Sequence, residues 1–144
     1  MRATGKTCAW VIGVTALFAS FTAGAQDVII VANRNVTLPE ISAGQLRDIF
    51  VGIRSRLNDG TRVTPVLLKG GPAHEVFLRN HVGEDPEEFR NRWRKAVFTG
   101  QGAMPKEFSS EAAVLDYVGS TPGAIGYVSR VNVAEGIRVL TISP

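Results

Sequence analysis

Short apolar runs alternate along this chain with stretches whose apolar residues recur every three to four positions. Val28 to Ala32 is an unbroken apolar run of strand type, rich in β-branched residues and suited to burial on both faces. Val63, Val66, Leu67 and Leu68 form a second short run, Ala124–Val128 a third, and Ile137, Val139, Leu140 and Ile142 a fourth. Between them the period changes to that of a helix. Leu46, Ile49 and Phe50 lie at i, i+3 and i+4 after Ser42, a plausible N-cap, and before Gly52, which suits a helix stop. Asp85-Pro86-Glu87-Glu88 reads as a cap, a first-turn proline and an acidic N3 residue. It opens a helix whose core face is Phe89, Trp93 and Val97. Ser109 or Ser110 caps a further helix packed through Val114, Leu115 and Val118. Asn35–Glu40 is a polar connection, Asn58-Asp59-Gly60 a turn, and Thr121-Pro122-Gly123 a type II turn. Strands alternating with helices predict an α/β domain with a mostly parallel sheet.

The stretch Val63–Arg79 carries the densest signal. A buried strand runs into Lys69-Gly70-Gly71, and Pro72 stands where the first residue of a helix is expected. That order aims backbone N–H groups and the positive end of a helix dipole at one spot, which suits an anion. Most strand-to-helix loops use Gly and Pro simply to turn, so both readings stand at this point. In the helix that follows, Ala73, Phe77 and His81 share one stripe, and His81 is expected to pack there.

The N-terminus changes how the charge is read. Arg2 and Lys6 precede a largely apolar stretch from Cys8 to Phe21, and Ala23-Gly24-Ala25 has the form of a signal-peptidase site. The apolar stretch is shorter than the roughly 20 residues of a membrane span. Residues 1–25 are therefore expected to be a cleaved signal peptide, with a periplasmic mature domain from Gln26 to Pro144. Removing Arg2 and Lys6 lowers the formal charge from +3 to +1, which takes away the main argument for nucleic-acid binding. Cys8 is the one cysteine, so the mature domain has no disulfide, cysteine nucleophile or thiolate metal site. His74 and His81 lie seven apart, about 10.5 Å along a helix, too far to share one ion. No nucleophile elbow, Walker A sequence or dinucleotide fingerprint is present, and no acid–base pair stands out. Catalytic residues, metal ligands and cofactors are expected to be none, and the protein is read as a non-enzyme.

The order of VIIVANRNV, ISAGQLRDIFVG, VTPVLLKGGPAHEVF and VLDYVGSTPGAIGYV resembles the substrate-binding proteins of phosphate ABC transporters, in the type 2 periplasmic binding protein group. Leu46, Ile49, Phe50 and Gly52 match one family signature. Thr121, Pro122, Gly123, Ile125, Gly126, Tyr127 and Val128 match another. The resemblance implies a single α/β lobe, the second of the family's two, with a mostly parallel sheet flanked by helices. It also implies a departure at the ligand loop, where the family's Asp-Gly-Ser-Gly-Thr type of sequence is replaced by Lys69-Gly70-Gly71-Pro72-Ala73-His74. Both hydroxyls are gone, and Pro72 removes one donor.

The resulting expectation is an exported solute-binding-type domain for phosphate or a similar oxyanion. Lys69 supplies charge, Gly70, Gly71 and Ala73 supply backbone donors, and His74 supplies a switchable one. Thr99, Gly100 and Gly102 form a second loop expected to face the first. A transporter permease, a membrane sensor or a second copy are the partners such a lobe implies. The rival reading is a single-lobe periplasmic interaction or sensory module that has lost ligand binding.

Overall fold

The structure is a computed structural model that describes residues 27–129 and 135–144; the expected signal peptide, 1–25, lies outside the described residues. Strand β1 (Ile29–Asn33) is followed by β2 (Glu40–Ser42) and helix α1 (Ala43–Phe50). Next come β3 (Thr64–Leu68), α2 (Pro72–Phe77), a π-helical turn (Leu78–Val82) and α3 (Pro86–Phe98). The chain closes with β4 (Lys106–Phe108), α4 (Glu111–Ser120), β5 (Ala124–Val128) and β6 (Ile137–Ser143). The six strands make one sheet in the order β2-β6-β1-β5-β3-β4. β1 runs antiparallel to both neighbours, pairing Val31 with Gly126 on one side and with Val139 on the other. The remaining ladders are parallel. Five strands thus share one direction and β1 opposes them, which gives the mostly parallel α/β lobe expected.

The apolar runs become the inner strands because every residue in them needs cover. All five residues of β5 are buried, as are Ile30–Asn33 of β1 and Val66–Leu68 of β3. Gly126 lets the layers close: a Cβ there would lie 2.9 Å from Val66 Cγ2 and 3.0 Å from Val114 Cγ1. Helix α4 therefore sits hard against β5 through Val114 and Val118. On the other side Phe50 of α1, Phe77 of α2 and Tyr127 of β5 form an aromatic cluster. The Phe77 and Tyr127 rings stack at 3.9 Å, and Phe50 meets Phe77 edge-on at 4.7 Å. Burying each such ring stabilises the fold by about 1.5–3 kcal/mol.

The predicted caps hold. Ser42 accepts from Gln45 N–H while the Gln45 side chain accepts from Ser42 N–H. Asp85 and Glu88 make the same reciprocal pair at α3, and Ser110 caps α4. The Ala124 N–H donates to Thr121 C=O at 3.2 Å and closes the Thr121-Pro122-Gly123 turn.

Three features differ from the sequence reading. β2 and β4 were not anticipated, because three-residue edge strands carry too little periodicity to register. Val97 is not on the core face of α3; it is 47% exposed, and Phe89 and Trp93 alone anchor that helix. Helix α2 ends after six residues and widens into the π-helical turn, so its continuation does not keep a 3.6-residue stripe. His81 nevertheless packs as expected: its side chain is 9% exposed, its ring lies 5.7 Å from that of Phe77, and its Nε2 sits 2.9 Å from Asp27 Oδ1.

Candidate functional site

The turn between β3 and α2 is built as the sequence implied. Lys69 N–H donates to Phe108 C=O at 2.9 Å, which ties the end of β3 to the end of β4. Gly71 then serves as N-cap of α2 with φ 93° and ψ 174°, a region of backbone space that is essentially glycine's alone. No side chain caps the helix there, and Pro72 follows inside the first turn. The first helical bond at this start runs from Glu75 N–H to Gly71 C=O at 3.1 Å. The N–H groups of Ala73 and His74 precede that bond, so they are among the donors a helix start cannot satisfy internally. Lys69, Gly70, Gly71 and Pro72 are exposed. A cation, a glycine turn and the positive end of a helix therefore share one open surface.

His74 is where structure and sequence reading part. Its ring is not on the turn. It is 6% exposed, and its Nδ1 lies 2.5 Å from the hydroxyl of Tyr127. That hydroxyl also accepts from Leu68 N–H at 3.1 Å. Because the phenol oxygen already accepts once, its own proton is satisfied by donation to Nδ1, and we assign the imidazole proton to Nε2. Burial, helped by the positive charge of Arg90 and opposed by Glu75, pushes the His74 pKa down and favours the neutral ring this arrangement needs. Burial also pushes the Tyr127 phenol up, so it stays protonated. Phe89 meets the His74 ring edge-on at 6.3 Å. The last residue of β3, the second residue after Pro72 and the core of β5 are thus joined at one hydroxyl. Of the donors expected from His74, the backbone N–H alone belongs to the turn; the ring holds the turn in place from beneath.

The second loop lies at the far end of α3. Thr99 Oγ1 donates to Lys95 C=O at 2.9 Å, Gly100 N–H donates to Val97 C=O, and Gly102 packs by Trp93. These bonds fold Thr99 and Gly100 back onto their own helix, and Gly102 sits beside its Trp93. Among the described residues, three clefts stand out on the surface. One lies between Glu75, Arg79 and Asp85, and two flank Trp93 on either side of α3. The turn at Lys69–Ala73 lines none of these three and stands open to solvent. The described residues contain no cluster of three His, Cys, Asp or Glu side chains able to hold a metal.

Sequence reasoning missed the inward role of His74, although a signal was present. His74, Phe77, Leu78 and Val82 are all buried, and the first three fall at i, i+3 and i+4, a better core stripe than Ala73, Phe77 and His81.

The sheet order, the reversed β1 and the uncapped glycine turn after β3 together make one mixed, mostly parallel α/β lobe. No protein-family model matches the chain, nor does any curated protein sequence. Solved structures do match. A protein from Clostridium perfringens, described as a phosphate ABC transporter substrate-binding protein and crystallised with bound phosphate, aligns with a TM-score of 0.63 at 16% identity. The alignment covers 81% of this chain and 44% of that one. PstS from Borrelia burgdorferi aligns with a TM-score of 0.58 at 15% identity, over 81% and 47% of the two chains. An ABC-type phosphate transport receptor from Vibrio cholerae aligns at 0.51 and 14% identity, over 81% and 46%. The likeness is one of fold, and this chain spans somewhat less than half the length of the solved structures it matches.

Proposed function

We propose that this chain is an exported, non-enzymatic solute-binding-type domain that holds phosphate or a similar oxyanion at the Lys69–Ala73 turn. The observation that carries the reading is the start of α2. A glycine-only backbone conformation, no side-chain cap and an adjacent lysine leave helix-start N–H groups for which an anion is a suitable acceptor. The fold supports it, since two of the structures sharing it are described as a phosphate ABC transporter substrate-binding protein with bound phosphate and an ABC-type phosphate transport receptor. Export rests on the sequence of residues 1–25, and a transporter, a membrane sensor or a second copy remain the partners such a domain would serve. With one lobe described, the turn meets an anion from one side, so the affinity of a lone domain should be modest unless a second protomer closes over it.

The test is calorimetric titration with phosphate, paired with light scattering and backbone amide chemical shifts. Binding with shifts at Gly70, Gly71, Ala73 and His74 supports the reading. Shifts at Thr99, Gly100 and Gly102 in the same titration would bring the second loop into the site. Absence of heat and of any shift at the first turn would overturn phosphate binding there.

A further inference from the structure

Among the described residues, five large apolar side chains are exposed: two end α3, and two more lie in the clefts on either side of it. Val97 and Phe98 end the helix, with Phe98 91% exposed. Met104 shares a cleft of about 350 Å³ with Val97, Arg90 and Arg94. Ile53 shares another, of about 670 Å³, with Lys95 and Ala96. The fifth, Val139, is far along the chain on β6. Only Phe89 and Trp93 of α3 are buried, and the Trp93 indole N–H donates to Phe50 C=O at 3.2 Å. The rest of the helix is a ridge.

Charge along that ridge is sorted. Asp85, Glu87 and Glu88 stand at its start, Arg90 follows in its second turn, and Arg94 and Lys95 come towards its end, while Arg92 is engaged by Glu84. Two carboxylates line the clefts beside Trp93, Glu107 on the Val97 side and Glu88 on the Ile53 side. Ten residues separate Glu88 from Phe98, about 15 Å of helix rise, so the basic end can touch a surface that the acidic end does not.

We infer that the C-terminal tip of α3 docks on an anionic membrane surface. Val97 and Phe98 enter the headgroup boundary, and Arg94 and Lys95 face the lipid phosphates. A ring exposed over nearly all its area at the end of a ridge needs no shaped pocket to bury it; a bilayer interface supplies a soft one, and basic residues beside apolar ones are the chemistry such interfaces take up. A second copy of the chain, or another protein, would have to bring a matching pocket for Phe98.

The experiment is sedimentation of the full chain with vesicles of phosphatidylcholine, with and without about 30% phosphatidylglycerol to supply the anionic surface. Wild type and variants share residues 1–26, so their differences report the α3 tip. Wild type should partition to the anionic vesicles and be released by salt. Phe98→Ser should lower the partition coefficient roughly tenfold or more. The pair Arg94→Gln and Lys95→Gln should lower it about tenfold and flatten the salt dependence. Val139→Ser should leave it unchanged. Phe98 is solvent-exposed, so its variant should keep the wild-type circular dichroism. Equal partitioning of wild type and Phe98→Ser, or equal binding to neutral and anionic vesicles, would overturn the inference. So would a wild-type dimer in vesicle-free light scattering that Phe98→Ser converts to monomer, since another copy would then cover the tip.

Discussion

Helices α2 and α3 both begin with proline after a turn, yet they are held in opposite ways. At α3 the Asp85 carboxylate accepts from Glu87 and Glu88 N–H, and the Glu88 carboxylate accepts from Asp85 N–H. At α2 the cap position is Gly71, which has no side chain to offer. The bodies reverse the pattern. α2 and the π-helical turn bury His74, Phe77, Leu78 and Val82, whereas α3 buries only Phe89 and Trp93 along 13 residues. Short helices are marginal unless packing or caps support them. A helix wedged into the core can leave its first N–H groups open for something else, and a helix on the rim must close its own end. The open end is the one the proposed anion would occupy.

The comparison can be broken most severely at Phe77. Phe77→Ala removes the ring stacked on Tyr127 and should cost about 3–5 kcal/mol, read from urea unfolding midpoints. Gly71→Ala comes next. A Cβ there meets nothing within 4 Å, so the loss, about 1–3 kcal/mol, comes from backbone conformation alone. Phosphate heat in calorimetry should vanish with it. Asp85→Ala opens the start of α3 and should cost about 1 kcal/mol, with hydrogen exchange faster in its first turn.

A gentler probe is pH. His74 prefers to be neutral when folded, so the unfolded chain takes up a proton first. Stability is full above the ordinary imidazole value near 6.5 and declines as pH falls below it, until the folded-state pKa is passed. Thermal melts between neutral and mildly acidic pH should show that slope in wild type and a flatter one in His74→Gln. Smallest of all, Val97→Ala should change stability by less than about 0.5 kcal/mol, because its side chain lies on the exposed side of α3. A loss like that of Phe77→Ala would mean α3 is packed much as α2 is.

Much of this arrangement was legible in the residues because several signals agreed locally. Val28–Ala32 and Ala124–Val128 could only be inner strands. Ser42, Asp85 and Ser110 each stood before an apolar period, and the Thr121-Pro122-Gly123 turn had both its proline and its glycine in place. The Lys69–Pro72 turn was legible for the same reason. What escaped notice depended on contacts distant in sequence. His74 faces inward because Tyr127, 53 residues later, brings a hydroxyl that needs an acceptor. Val97 fits the period of α3, but among the described residues no strand or helix arrives to cover it. The π-helical turn at Leu78–Val82 obeys packing against the core instead of a residue preference, and His81 still packs by Phe77 across it.

The two outer strands of the sheet have one more consequence. β2 and β4 are each three residues long, and Glu40, Lys106 and Glu107 on them are exposed. An incoming strand from a neighbouring molecule would find few backbone groups to pair with and charges lining its path. A domain whose other four strands are longer and largely apolar would otherwise be a template for fibre growth. Ending the sheet in such short, charged margins lets it be held at high concentration without polymerising edge to edge.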